Sequence, residues 1–239
     1  MTTAPISTEP APASDFTLPA WLTMPMQVFI IAALPLVLIL INARLLMTDA
    51  FLRWQYTRPG FPPDPYGMTQ AQRLEYAPPA LAYLFNDEDI SFLGDMTFPD
   101  GSPMYNEREL RHMADVKVVT RQLSTAGYIL IGVLAVCIVA LAAGRSSRLP
   151  LYRSLFAAGV LTILLIAAGL IAVATSFNWL FTQFHALFFE GDSWIFLYSD
   201  TLIRLFPIQF WTMAFVLIFG GALLEAGILS GVMWRLMRR

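Results

Sequence analysis

Cysteine occurs once in these 239 residues, lysine once and histidine twice, and the four charged residue types together supply only 13% of the chain. With Cys137 alone, no internal disulfide can form. Its place inside an apolar run favours packing over thiolate chemistry. There is no serine-nucleophile motif, no CxxC pair and no glycine-rich phosphate loop. A net charge of −2 removes the electrostatic basis for a nucleic-acid partner. No repeat relates the two halves, which speaks against a transporter. Soluble domains carry about 25% charged residues. Here the hydrophobic fraction is 57% and the mean hydropathy +0.61, so the apolar surplus must face lipid.

A helix needs about 20 apolar residues to cross the hydrocarbon layer. Four segments meet that length: 26–47, 122–143, 151–175 and 207–234. The expected fold is an all-α integral membrane protein, a four-helix transmembrane bundle under a small extracytoplasmic cap with room for minor β structure. Residues 1–25 are rich in Pro, Ala, Ser and Thr, lack a basic residue and read as a disordered tail rather than a cleaved signal. Loop 144–150 and its flank carry Arg145, Arg148 and Arg153, and the tail 235–239 carries Arg235, Arg238 and Arg239. The positive-inside rule puts both in the cytoplasm, and an even number of spans puts the N-terminus there too. Segments 48–121 and 176–206 then lie outside. Within the fourth span, GILSG (Gly227, Gly231) would permit close helix approach, a common and unspecific signal.

In segment 48–121, Pro59, Pro62, Pro63 and Pro65 exclude regular structure, Thr69 is a candidate cap, and Pro78-Pro79 is expected to interrupt the helix beyond it. Turn chemistry around NDEDISFLGDMTFPDGS admits a strand or two. Asn106 with Glu109 forms a capping-box pattern, and Tyr105 with Leu110 falls at staple positions. A helix from Glu107 can therefore run unbroken into the second span, holding His112 about 10–20 Å above the apolar run. In 177–198, nine aromatic residues crowd around His185, among them Phe184, Phe188, Phe189 and Trp194. They read either as an interfacial belt or as an enclosure for acyl chains.

Glu109, His112 and Asp115 recur at i, i+3 and i+6 along one helix face. Three readings stay open at this point. One is a solvated face on which Arg111 pairs with Asp115. Another is a metal site built from Glu109-x-x-His112 and His185. The last is a metal-free proton-transfer pair of His112 and His185, with Asp115 or Glu109 orienting a ring. Glu225 lies inside the fourth span, about 27 Å inward from Pro207 by helical rise. It is expected to hydrogen-bond within the bundle rather than pair with Arg44 near the outer end of the first span. Arg44 is left to hold a group at the outer face or to snorkel.

The blocks ERELRHMADVK, FHALFFEGDSWIF and DTLIRLFP resemble the family of bacterial lipoprotein intramolecular transacylases, and the resemblance extends over most of the chain from about residue 26. It implies a four-span enzyme of the bacterial plasma membrane with its active site outside. The implied reaction moves the sn-2 acyl chain of a diacylglyceryl-modified lipoprotein to the α-amine of its own N-terminal cysteine, giving the lyso form. It also implies that His112 and His185 are catalytic. An α-amine of pKa about 7.7–8.0 must lose a proton as it attacks, and the glyceryl oxygen must gain one. Two imidazoles manage both without metal or cofactor. Tyr105, Asn106, Arg111, Lys117 and Trp194 are the candidate donors to an oxyanion. A metal-dependent membrane hydrolase and a non-enzymatic membrane assembly protein are the alternatives.

Overall fold

The computed structural model describes residues 18–189 and 191–239. The expected disordered tail therefore lies largely outside the described residues. The chain is helical from Ala20, so the first long helix starts six residues before the expected boundary. Four helices are long and apolar enough to cross a membrane: α1 (Ala20–Leu46), α5 (Glu107–Ala143), α6 (Arg148–Phe188) and α8 (Ile208–Leu236). Between them lie α2 (Asp49–Thr57), α3 (Gln70–Tyr83), the single turn α4 (Ser91–Gly94) and the short α7 (Thr201–Leu205). A 3-10 turn, Arg145–Ser147, joins α5 to α6.

The bundle core is aliphatic, with Ile30, Leu34, Leu141 and Ala158 buried at its centre and Cys137 buried among them. Close crossing comes from Gly159, where a Cβ would overlap Ser230 Oγ, and from Gly221, where it would overlap Asn42. The two glycines of GILSG do not serve this purpose themselves: Cβ atoms on Gly227 or Gly231 would meet nothing within 4 Å, and it is Ser230 of that motif that lies against Gly159. Asn42 donates to Glu225 at 2.9 Å. Glu225 thus bonds within the bundle as expected, but its level differs from the reading by rise alone. Asn42 lies four residues from the end of α1, whereas Glu225 lies 17 residues into α8. By helical rise, α8 therefore reaches roughly 20 Å past the end of α1. The extra length enters the cap, where Phe210 packs on Phe51 at 5.5 Å and accepts a bond from Gln55 at its carbonyl oxygen. Among the described residues Arg44 makes no ion pair with Glu225. Its guanidinium lies over the Phe85 ring at 4.4 Å and donates to Met47 O.

The cap is built on its own apolar core of Leu52, Tyr56, Tyr76, Ala80, Leu93 and Met104, among others. Helix α3 starts on a Thr69–Gln72 capping box and runs straight through Pro78-Pro79. Each proline costs a helical bond, about 3 kcal/mol in an exposed interior. Burial of Tyr76, Ala77, Ala80 and Tyr83 on one face holds the helix together regardless. The proline-rich stretch before it has no regular structure, but Asp64 anchors it by accepting from Met68 N at 2.7 Å and pairing with Arg204 at 3.0 Å. Among the described residues the expected strands reduce to one antiparallel bridge, Thr97 with Pro103, because the turn at Gly101 leaves too few residues to extend it.

Helix α6 departs most from expectation. Apolar residues run past 175, and the helix continues through the aromatic segment to Phe188. Only Ser176 leaves helical geometry, at φ −158° and ψ 76°. A span (151–175) and an aromatic limb (177–188) are thereby set end to end.

Candidate active site

The two histidines arrive on separate helix ends. His112 stands on the second turn of α5, whose start is fixed by Asn106. The Asn106 side chain accepts from Arg108 N and Glu109 N, and Glu109 accepts in return from Asn106 N at 2.8 Å. His185 occupies the last turn of α6, closed by Phe189 N donating to His185 O at 2.8 Å. The rings meet with centroids 6.0 Å apart and planes 23° from parallel. Both residues are buried, at 8% and 9% exposure.

Aromatic rings close the surroundings. Phe189 and Phe196 pack on His112 at 5.0 and 5.2 Å. Phe181, Trp194, Phe184 and Phe189 pack on His185 at 4.1, 5.0, 5.6 and 5.7 Å. Phe188 packs behind Phe184 at 5.0 Å, its ring tilted by 56°. Phe184 is 39% exposed and Leu187 76%, so the outer side of the same limb is open to lipid while its inner side holds the imidazole. The aromatic segment therefore packs around His185 on one side and is exposed on the other.

Burial sets the protonation. It pulls the His112 pKa down from the ordinary 6.5 to about 4, with the neighbouring His185 adding to the effect. Burial lowers His185 as well, against an opposing hydrogen bond to Phe181 O at 2.8 Å. A carbonyl only accepts, so Nδ1 of His185 carries the proton and Nε2 presents a lone pair. Both rings are neutral near pH 7. Since the folded pKa of His112 lies below its unfolded value, the unfolded chain binds more protons between pH 6.5 and about 4. Stability is full above that window and falls through it, by roughly 3 kcal/mol in all. The thermal midpoint of detergent-solubilised protein should drop more between pH 7 and 4.5 for wild type than for His112→Gln. Parallel curves would contradict the assignment.

Glu109 is 1% exposed, and its two oxygens accept from Asn106 N and from Leu202 N, the latter at 2.7 Å. Burial raises its pKa in spite of those bonds. It ties α5 to α7 through both oxygens. Among the described residues, no three His, Cys, Asp or Glu side chains cluster as metal ligands would. The Tyr105 hydroxyl is buried without a hydrogen-bond partner among the described residues, and burial beside Glu109 raises its pKa.

Of the remaining candidates, only Trp194 stands against the pair. The Asn106 amide donates to Asp200 at 3.2 Å. Lys117 points into the cap, donating to Asn86 Oδ1 at 3.0 Å and to Glu88 O, and lies 3.9 Å over Tyr83. Arg111 and Asp115 are exposed, and Asp115 makes no hydrogen bond to either histidine among the described residues. Residues not singled out from sequence also take part. Phe196 covers His112, and Asp200 accepts from Leu197 N at 2.8 Å, holding the loop that carries Trp194 and Phe196. Arg108 fastens the same loop through Ile195 O at 3.1 Å.

The model of one protein family, lipoprotein intramolecular transacylase Lit, matches residues 28–211. The chain belongs to the Lit family. Among solved structures, the membrane-integral Lit of Bacillus cereus superposes with a TM-score of 0.75 at 20% identity, covering 92% of this chain and 97% of that one. A Bacillus cereus Lit in which one histidine is replaced by alanine superposes at 0.70 and 18% identity, over 91% and 94% of the two chains. An uncharacterised protein of Aquifex aeolicus (strain VF5) is 29% identical over 185 residues, 77% of this chain and 82% of its own. The all-α membrane fold is thus that of Lit.

Proposed function

We propose that this chain is a lipoprotein intramolecular transacylase in which His112 and His185 do the chemistry. It moves the sn-2 acyl chain of a diacylglyceryl lipoprotein onto the α-amine of the same N-terminal cysteine. The observation that carries this reading, on a member of the Lit family, is the buried imidazole pair stacked 6.0 Å apart among aromatic rings. As the amine attacks the ester carbonyl, Nε2 of His185 takes its proton, and Phe181 O supports the imidazolium at Nδ1. When the C–O bond breaks, the same imidazolium returns that proton to the glyceryl oxygen. His112 stays neutral and holds the amine by a hydrogen bond at Nδ1, which has no partner among the described residues. An ester becomes an amide, a downhill change that needs no energy source. The difficulty is bringing two ends of a flexible lipid together, and orientation can supply up to roughly 7–11 kcal/mol.

In this reading the arginines of 145–153 and of the C-terminus face the cytoplasm, the cap and the histidines face outward, and the surrounding membrane is the bacterial plasma membrane. Acyl chains lie along the aromatic limb of α6 while the polypeptide leaves through the cap. The test is mass spectrometry of a reporter lipoprotein's N-terminal lipopeptide, from a host without its own N-acylation enzymes that expresses this chain. Conversion to N-acyl, S-monoacylglyceryl cysteine is expected, undiminished by strong chelators in membranes. A free amine on the intact diacylglyceryl form would refute the reaction, and loss on chelation would show that the transfer needs a metal.

A further inference from the structure

Six buried side-chain polar atoms have no hydrogen-bond partner among the described residues, and half of them lie on the histidine pair and the turn beside it. They are Nδ1 of His112, Oγ of Ser193 and Nε1 of Trp194. A buried polar group left unpaired costs about 1–3 kcal/mol, so three at one place mark a site completed by something else. The chemistry of the atoms narrows what that is. An indole N–H can only donate, so its missing partner must be an acceptor. A serine hydroxyl one residue away adds a second donor from the same turn, residues 191–194. The Trp194 ring stands 5.0 Å from His185, against the imidazole that handles the proton. The described neighbours on α6 and on the loop after it are rings rather than cations: Phe181, Phe184, Phe189 and Phe196. A neutral donor pair in an apolar enclosure suits an oxygen that is uncharged on arrival and becomes charged during reaction.

Resting on the transacylase reading, we propose that the Ser193–Trp194 turn is the oxyanion hole. The α-amine nitrogen forms its bond to the ester carbon, and the carbonyl π pair moves onto the oxygen. Ser193 Oγ–H and Trp194 Nε1–H donate to that oxygen. Collapse returns the pair to the carbonyl and breaks the bond to the glyceryl oxygen, which takes the proton held by His185. Nothing is oxidised or reduced. The loop that presents both donors is held by Asp200, through Leu197 N and the Asn106 amide, and by Arg108 through Ile195 O. The same anchors that cover His112 with Phe196 therefore set the oxyanion donors.

The experiment uses full-length protein in bicelles and a synthetic diacylglyceryl-cysteine lipopeptide, with initial rates of amide formation. Trp194→Phe keeps a ring and loses the N–H, Ser193→Ala loses the hydroxyl, and Ser193→Thr keeps one. Each deletion is expected to lower kcat by about 10²-fold with KM within about twofold, and Ser193→Thr to recover most of the loss. The acid limb of the pH profile of Ser193→Ala should coincide with wild type, since His185 is untouched. The proposal is overturned if Ser193→Ala and Trp194→Phe both stay within about threefold of wild type. It is equally overturned if the loss appears in KM alone or if Ser193→Thr is as slow as Ser193→Ala. Should Trp194→Phe not fold, the serine pair decides by itself. An inactive wild type would instead bring down the transacylase reading, and this proposal with it.

Discussion

Replacing His185 with Gln is expected to slow amide formation by about 10²–10⁴-fold, the span usual for loss of a general base. The glutamine amide can still donate to Phe181 O, so the turn at the end of α6 keeps its internal bond. It cannot accept a proton from an α-amine and pass it on. His112→Gln should cost about 10²-fold, through a misplaced nucleophile rather than a missing base. The double variant should be little slower than His185→Gln, because groups that act as a unit do not add. Initial rates with purified protein and a diacylglyceryl lipopeptide measure all three. A His185→Gln protein within about tenfold of wild type would remove the base from this mechanism.

Glu109→Ala is expected to be the most damaging substitution outside the imidazole pair, through stability rather than chemistry. It strips partners from two backbone amides, Asn106 N and Leu202 N, and the second lies on a residue only 6% exposed. An orphaned buried donor costs about 1–3 kcal/mol, so the pair should lose roughly 3 kcal/mol. At about 2–4 °C per kcal/mol for a chain of this size, the thermal midpoint should fall by about 6–12 °C. Glu109→Gln keeps an acceptor oxygen and should fall by less than half as much. Limited proteolysis should cut residues 191–206 faster in the alanine variant, since α7 then loses its tie to α5. A wild-type midpoint in Glu109→Ala would mean that the carboxylate does not hold these helices together.

The four long helices, the capping box at Asn106 and Glu109 and the unbroken run from cap to membrane along α5 could all be read from the chain. Each depends on local periodicity or on contacts three residues apart. The meeting of His112 and His185 was legible as chemistry and through the family resemblance, not as distance. What periodicity could not give was direction in space. Lys117 shares a helix with His112 but turns to Asn86, because the loop at 86–88 happens to pass there. Phe196 was one aromatic among nine, and nothing local distinguishes it from Phe177. Only the fold of 191–200 lays it on His112. Pro78-Pro79 misled for a related reason: a local rule ended the helix, and burial of one face in the cap core overrode it.

The break at Ser176 has a mechanical consequence. A span adapts to a thicker or thinner bilayer by tilting. If α6 were one stiff rod, that tilt would be levered along the limb above Ser176 and would swing His185 away from His112. A single non-helical residue lets the lower rod lean while the upper limb stays packed on Trp211 and Phe215 of α8. The break should spare His185 the leverage of its own span, and catalysis should then tolerate lipids of differing chain length better than an unbroken α6 would allow.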